Sequence, residues 1–203
     1  MTEPIATRLK DGVVWPIGGQ AEVDWINEGV DSSRRITGAI PPLFADYATV
    51  ADFRTEEGLQ RDLGSERRQD LAFVDVLHRH DGGRSWWIGY LDTGPADIVF
   101  RDAPKATLYH GWPYVFVLAG PDQAATWRPA PGVQPNWKSH ELPEVMFPED
   151  RSWLVSFLWD DDWACIGGPD ALIDDVLSDP VLAPNARRVD PQQNATPPGR
   201  WPG

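Results

Sequence analysis

Phe147-Pro-Glu-Asp-Arg-Ser-Trp-Leu-Val-Ser-Phe-Leu-Trp-Asp-Asp-Asp-Trp-Ala-Cys-Ile-Gly-Gly168 decides how this chain is read. A proline-punctuated entry leads into an apolar run over 152–159. Asp160, Asp161 and Asp162 separate it from a second run over 164–166, and Gly167 and Gly168 close the segment. Apolar run, acidic turn, apolar run reads as a strand hairpin. Pro169 suits the first position of a helix. Leu172, Ile173, Val176 and Leu177 then recur at helical spacing, which predicts a helix over 169–178.

Upstream, Leu71, Val74 and Leu77 share a helix face, with Phe73 and Val76 beside it. Ser65 suits a helix N-cap, and Gly82-Gly83 a stop, so a second helix is expected over 67–80. Residues 86–91, Trp-Trp-Ile-Gly-Tyr-Leu, are apolar on both faces, as in a central strand. Runs at 98–100, 107–109 and 114–118 read as further strands, and their short connections favour antiparallel pairing. Nearer the start, residues 1–12 read as loose. A short strand is expected at 13–15, ended by Pro16, another at 21–26, a short helix at 42–47 and a strand at 48–53. Residues 120–127 open as a short helix, and 128–142 is a proline-bearing loop long enough to cover a groove. The expected fold is α+β: one domain over 1–190, with a mainly antiparallel sheet of about six or more strands and two principal helices. The proline-rich tail, 191–203, is expected to be disordered.

Pro148-Glu-Asp-Arg-Ser-Trp153, Asp160 to Trp163 and Gly167-Gly168 resemble an uncharacterised actinobacterial protein family. Trp86 to Asp92 and Gly111-Trp-Pro-Tyr-Val115 fit the same set. The likeness spans roughly 36–185, and it implies no activity and no functional residues.

Composition narrows the function classes. The formal charge is −13, which argues against nucleic acid and anionic membranes, favours solubility, and permits steering toward a basic protein partner or a cation. A single cysteine, Cys165, rules out an intrachain disulfide. No apolar run approaches the ~20 residues of a membrane helix, and Asp11, Glu22 and Asp24 interrupt any signal-peptide core. A cytoplasmic protein of unknown oligomeric state is inferred.

Asp160 and Asp162 project from one side of an extended chain, a spacing that suits Mg²⁺ or Ca²⁺. The calcium-loop pattern is missing, so the aspartates read as a solvated turn. Eleven tryptophans are unusual at this length. Trp153, Trp159 and Trp163 flank the aspartates, and Trp112 follows His110-Gly111. Aromatic faces beside carboxylates hold cations or a partner's arginine. His110, at a strand end, is the best placed histidine for acid–base work. His78 and His80, two residues apart, do not form a zinc pair on a helix. Cys165 is expected to be buried and inert. Gly167-Gly168 lacks the G-x-G-x-x-G and G-K-[ST] patterns, and the nearby aspartates repel phosphate. No cofactor or metal is expected. Between Arg151 and Arg187 there is no basic residue, while seven aspartates fall there.

The leading reading is a non-enzymatic, acidic protein-binding module, with Asp160, Asp161, Asp162, Trp153, Trp159, Trp163, Trp112 and His110 as binding residues. By analogy, an immunity or antitoxin-like protein has this size and charge. The alternative is a small-molecule binder or enzyme whose tryptophan-lined groove uses His110 and Asp160 or Asp162.

Overall fold

The computed structural model describes residues 6–31, 33–52, 63–94, 98–128, 142–158 and 161–198. Ten strands join in one sheet: β1 (Ala6–Lys10), β2 (Val13–Gly18), β3 (Asp46–Ala51), β4 (Trp86–Leu91), β5 (Ala106–Leu108), β6 (Trp112–Ala119), β7 (Val145–Pro148), β8 (Leu154–Ser156), β9 (Trp163–Gly168) and β10 (Ala186–Arg188). Their order is β1-β2-β6-β4-β7-β8-β9-β3-β10, with β5 beside the start of β6. All of these pairings are antiparallel. Four helices complete the described residues: α1 (Asp24–Gly29), α2 (Leu63–Arg79), α3 (Pro121–Thr126) and α4 (Asp170–Ser178). The α+β class and the two principal helices are as the periodicity predicts.

Side chains alternate between the faces of a sheet, and here both faces are covered. On one side Trp86, Ile88 and Tyr90 of β4, Val115 and Val117 of β6 and Ala164 and Ile166 of β9 pack with Phe73, Val76 and Leu77 of α2, Ala124 of α3, and Leu172, Ile173 and Val176 of α4. The opposite side carries Trp87 and Leu91, Tyr114 and Phe116, and Trp163 and Cys165. Val23, Ile26, Ile36 and Ile40, from α1 and the 3-10 turn at Ile36–Gly38, close over them. This is why β4 and β9 are buried along their whole length. Burying an Ile or Phe side chain stabilises by roughly 1.5–3 kcal/mol.

Several local expectations are corrected. Residues 6–10 are not loose but form β1, paired with β2 along its length. Pro16 does not end β2, because at that position β2 runs beside β1 alone and pairs β6 only at Ile17 and Gly18. Residues 21–26 are helical rather than extended. The Glu22 carboxylate accepts the Gly19 amide at 2.6 Å, and Val23 and Ile26, three apart, face the sheet. The 42–47 segment is a turn leading into β3, since Tyr47 lies in that strand and its hydroxyl accepts from the Phe44 amide. Residues 98–100 form a turn, with Phe100 at positive φ against Trp127.

The tail from 191 to 198 is also ordered, contrary to expectation. Arg187 donates to the carbonyls of Asn194, Ala195 and Thr196, and the Ala195 amide donates to Arg34. One guanidinium thus captures three carbonyls that proline-rich sequence leaves without partners of its own. Residues 199–203 lie outside the described residues.

Gly89 sits opposite Phe116, whose ring lies over it, and an added Cβ would come 2.5 Å from the ring. Gly89→Ala therefore lowers stability by about 1–3 kcal/mol through overpacking, read as a shift of the urea midpoint with an unchanged slope.

Candidate functional site

The connection between β5 and β6 is a strained turn. The Gly111 amide donates to the Leu108 carbonyl at 3.2 Å, and the two residues between, Tyr109 and His110, have φ of 45° and 67°. Leu108 pairs Trp112, so the connection is three residues, all at positive φ; such positions suit Asn or Gly, because a bulky residue held there costs roughly 1–2 kcal/mol. Such conformations persist where the surroundings over-determine them, and they cluster at functional sites. Here Tyr109 is driven inward. Its hydroxyl donates to the Ala39 carbonyl at 3.1 Å, and its ring meets Tyr114 edge-on. His110 and Trp112 are left on the surface, with Trp112 38% exposed.

α1 is tied to this hairpin. The Thr107 carbonyl accepts from the side-chain amides of Gln20 (3.1 Å) and Asn27 (2.7 Å), while the Gln20 side-chain oxygen accepts from the Thr107 amide. Gln20 also donates to Asp24 at 2.9 Å. Asp24 and Glu28 are exposed and four residues apart, hence on one helix face. An exposed indole and two carboxylates are thereby carried on one tied unit.

The acidic turn between β8 and β9 is placed differently from expectation. Asp161 and Asp162 are half-buried rather than a projecting tip. The Asp161 amide donates to Leu158 and the Asp162 carbonyl accepts from Asp52, which folds the turn against the end of β3. Trp163 is buried at the start of β9, and Trp153 is fully buried against Trp86 at the other end of β8, with ring centroids 4.9 Å apart. Both serve the core rather than a binding surface. Trp159 and Asp160 lie outside the described residues, as do Trp137 and His140. Among the described residues no group of three or more His, Cys, Asp or Glu side chains is placed to hold a metal ion.

The one-signed acidic stretch is not one-signed in space. Arg188 bridges Asp46 and Asp174, and Asp175 is held by His80 at 2.9 Å and Arg79 at 3.7 Å. His80 beside Asp175 holds its carboxyl below the usual range. Asp174 and Asp175 are thus matched by cations from β10 and α2.

Several buried polar residues escaped the sequence reading. Arg128 Nη2 donates to both carboxylate oxygens of Glu144 at 2.6–2.7 Å, the pair being almost entirely buried, and Glu144 also accepts the Leu91 amide. Arg128 donates in addition to the Leu142 carbonyl and lies over the Tyr90 ring. A lone glutamate in the run Leu142-Pro-Glu-Val-Met-Phe147 was the available signal. Thr49 and Ser156 are fully buried within strands, as is Cys165. Burial pushes the Cys165 thiol far up, with the Asp161 charge adding to the effect.

No family model, curated protein or solved structure matches the chain. Among the described residues no helix is long and apolar enough to cross a membrane.

Two outcomes follow from this geometry. Cys165 in the folded protein reacts with a thiol reagent only as fast as the sheet opens, so labelling accelerates sharply in denaturant. His110→Gly relieves the left-handed strain and raises stability by about 0.5–1 kcal/mol, read from chemical denaturation.

Proposed function

We propose that this protein is a non-enzymatic recognition module that takes a basic protein partner on the surface built from Trp112, His110, Asp24 and Glu28. The observation that carries the reading is the exposed Trp112 beside a strained turn, with Thr107 of the strand before that turn hydrogen-bonded to Asn27 of the acidic helix α1 and to Gln20 just ahead of it. A partner's arginine or lysine can stack on an indole face while its N–H groups, or those of a neighbouring basic residue, are accepted by carboxylates. The overall charge of −13 steers such a partner inward.

The groove reading with His110 and Asp160 or Asp162 has less support. His110 faces solvent on one connection, and half-buried Asp162 belongs to another. The inward residue of the turn is Tyr109.

The test is capture from a host lysate on immobilised wild-type protein, followed by titration of the purified captured protein. The expected partner is basic and dissociates as salt approaches ~1 M, where the screening length falls to about 3 Å. Asp24→Lys with Glu28→Lys abolishes capture while stability moves by no more than about 0.5 kcal/mol. Trp112→Ala costs about 2 kcal/mol of binding, roughly 30-fold in Kd. Capture indifferent to salt and to all three substitutions removes this surface from consideration.

A further inference from the structure

Three aromatic side chains from three separate segments meet beside the β1–β2 hairpin. None of them belongs to the surface proposed above. Trp127 follows α3, its amide donating to the Gln123 carbonyl at 3.0 Å, and the next residue, Arg128, is anchored in the buried pair with Glu144. Trp15 of β2 meets the Trp127 ring edge-on, with centroids 5.0 Å apart and planes at 83°. Phe100 meets it at 6.1 Å and 82°. All three residues are half-buried, so the corner is open to solvent. Phe100 holds a φ of 55°, in the left-handed region, and a bulky residue stays there only where its surroundings over-determine it.

The corner already holds a cation. Lys10 Nζ lies 5.9 Å from the centre of the Trp127 ring. Lys10 pairs with Val13, so it shares a sheet face with Trp15, two residues further on. Its carbonyl accepts the Trp15 indole N–H at 3.3 Å. The space a ligand needs is therefore the space the Lys10 ammonium fills. The hold on that ammonium is weak. It stands at the outer edge of the ~6 Å over which a ring attracts a cation. Its carboxylate partner, Asp11 at 3.6 Å, is 74% exposed, and such surface pairs contribute little. Arg8, opposite Trp15, is turned elsewhere: it donates to the Thr7 carbonyl and reaches Asp102 at 4.0 Å.

The walls select what replaces Lys10. They present ring faces, and the Trp15 N–H is already spent on the Lys10 carbonyl. A bare ammonium or guanidinium brought against ring faces gives up water from its N–H donors without regaining an acceptor for each. A methylated ammonium keeps the charge and has few N–H groups or none, so it loses least on leaving water, and aromatic cages hold such groups. The chain's charge of −13 concentrates cations around it. We propose that Trp15, Trp127 and Phe100 form a site for a trimethylammonium group, which Lys10 plugs in the free protein and vacates when the ligand enters. The inference is independent of the proposed partner surface.

Choline is the probe, followed through the indole N–H resonances of Trp15 and Trp127 in the wild-type chain. Both resonances shift and saturate in roughly the millimolar range. Dimethylbutanol, the uncharged isostere of choline, leaves them in place. Lys10→Ala removes the plug and tightens choline binding roughly threefold, and Trp127→Leu weakens it about tenfold or more. A peptide bearing trimethyllysine is compared with its unmethylated twin. Tighter binding of the methylated peptide than of choline assigns the group to a protein partner, and weaker binding assigns it to a free small molecule. Resonances that stay still with ~10 mM choline in both wild type and Lys10→Ala overturn the proposal. So does an equal response to the uncharged isostere. Should Trp127→Leu not fold, the comparison of choline with its isostere on the wild-type chain decides.

Discussion

A sheet covered on both faces leaves its central strands no polar side. Everything else in this structure follows from that constraint. β4, β7, β8 and β9 are buried throughout, so each of their residues must be apolar, small or satisfied from within. The unbroken apolar run of β4 meets the first demand, and Gly89 beneath Phe116 the second. Arg128 and Glu144 meet the third where β7 begins, each neutralising a charge that would be costly alone.

That pair also shows how the layers are tied together. Glu144 accepts the Leu91 amide at the end of β4, its carbonyl accepts the Phe157 amide beyond β8, and Arg128 reaches it from just beyond α3. Four segments meet at one ion pair. Removing either partner would strand a buried charge, whereas replacing both with apolar residues need not, so its role is better described as fixing register than as adding stability.

The hairpin of β8 and β9 was legible because apolar runs, a charged turn and a glycine pair agree at every level. Where expectation failed, the deciding contact lay far away in sequence. Pro16 reads as a breaker until β1 is seen beside it. Val23 and Ile26 look like a strand until the cap from Glu22 is known. The acids of α4 look one-signed until Arg79 and Arg188 arrive from other elements. Of the candidate site, Trp112 and His110 stood out as aromatic and titratable groups at a strand end. Asp24 and Glu28 did not, since their position depends on Gln20 and Asn27 bonding Thr107, 87 and 80 residues away. Local sequence also does not say which residue of a turn goes inward, and here it is Tyr109.

The pairing of β3 has a consequence for biosynthesis. β3 lies between β9 and β10, both made roughly a hundred residues or more after it, and the segment that follows β10 returns to Arg34 and Arg35. A nascent chain therefore carries β3 with neither sheet neighbour until roughly a hundred further residues have been made. Its apolar side chains and open backbone groups are exposed to other chains during that interval. The pairings that remove this hazard are of high contact order, so they are slow to form. β3 is shielded from association only once β9 and β10 have emerged to pair with it, which makes these two late strands its guardians during synthesis.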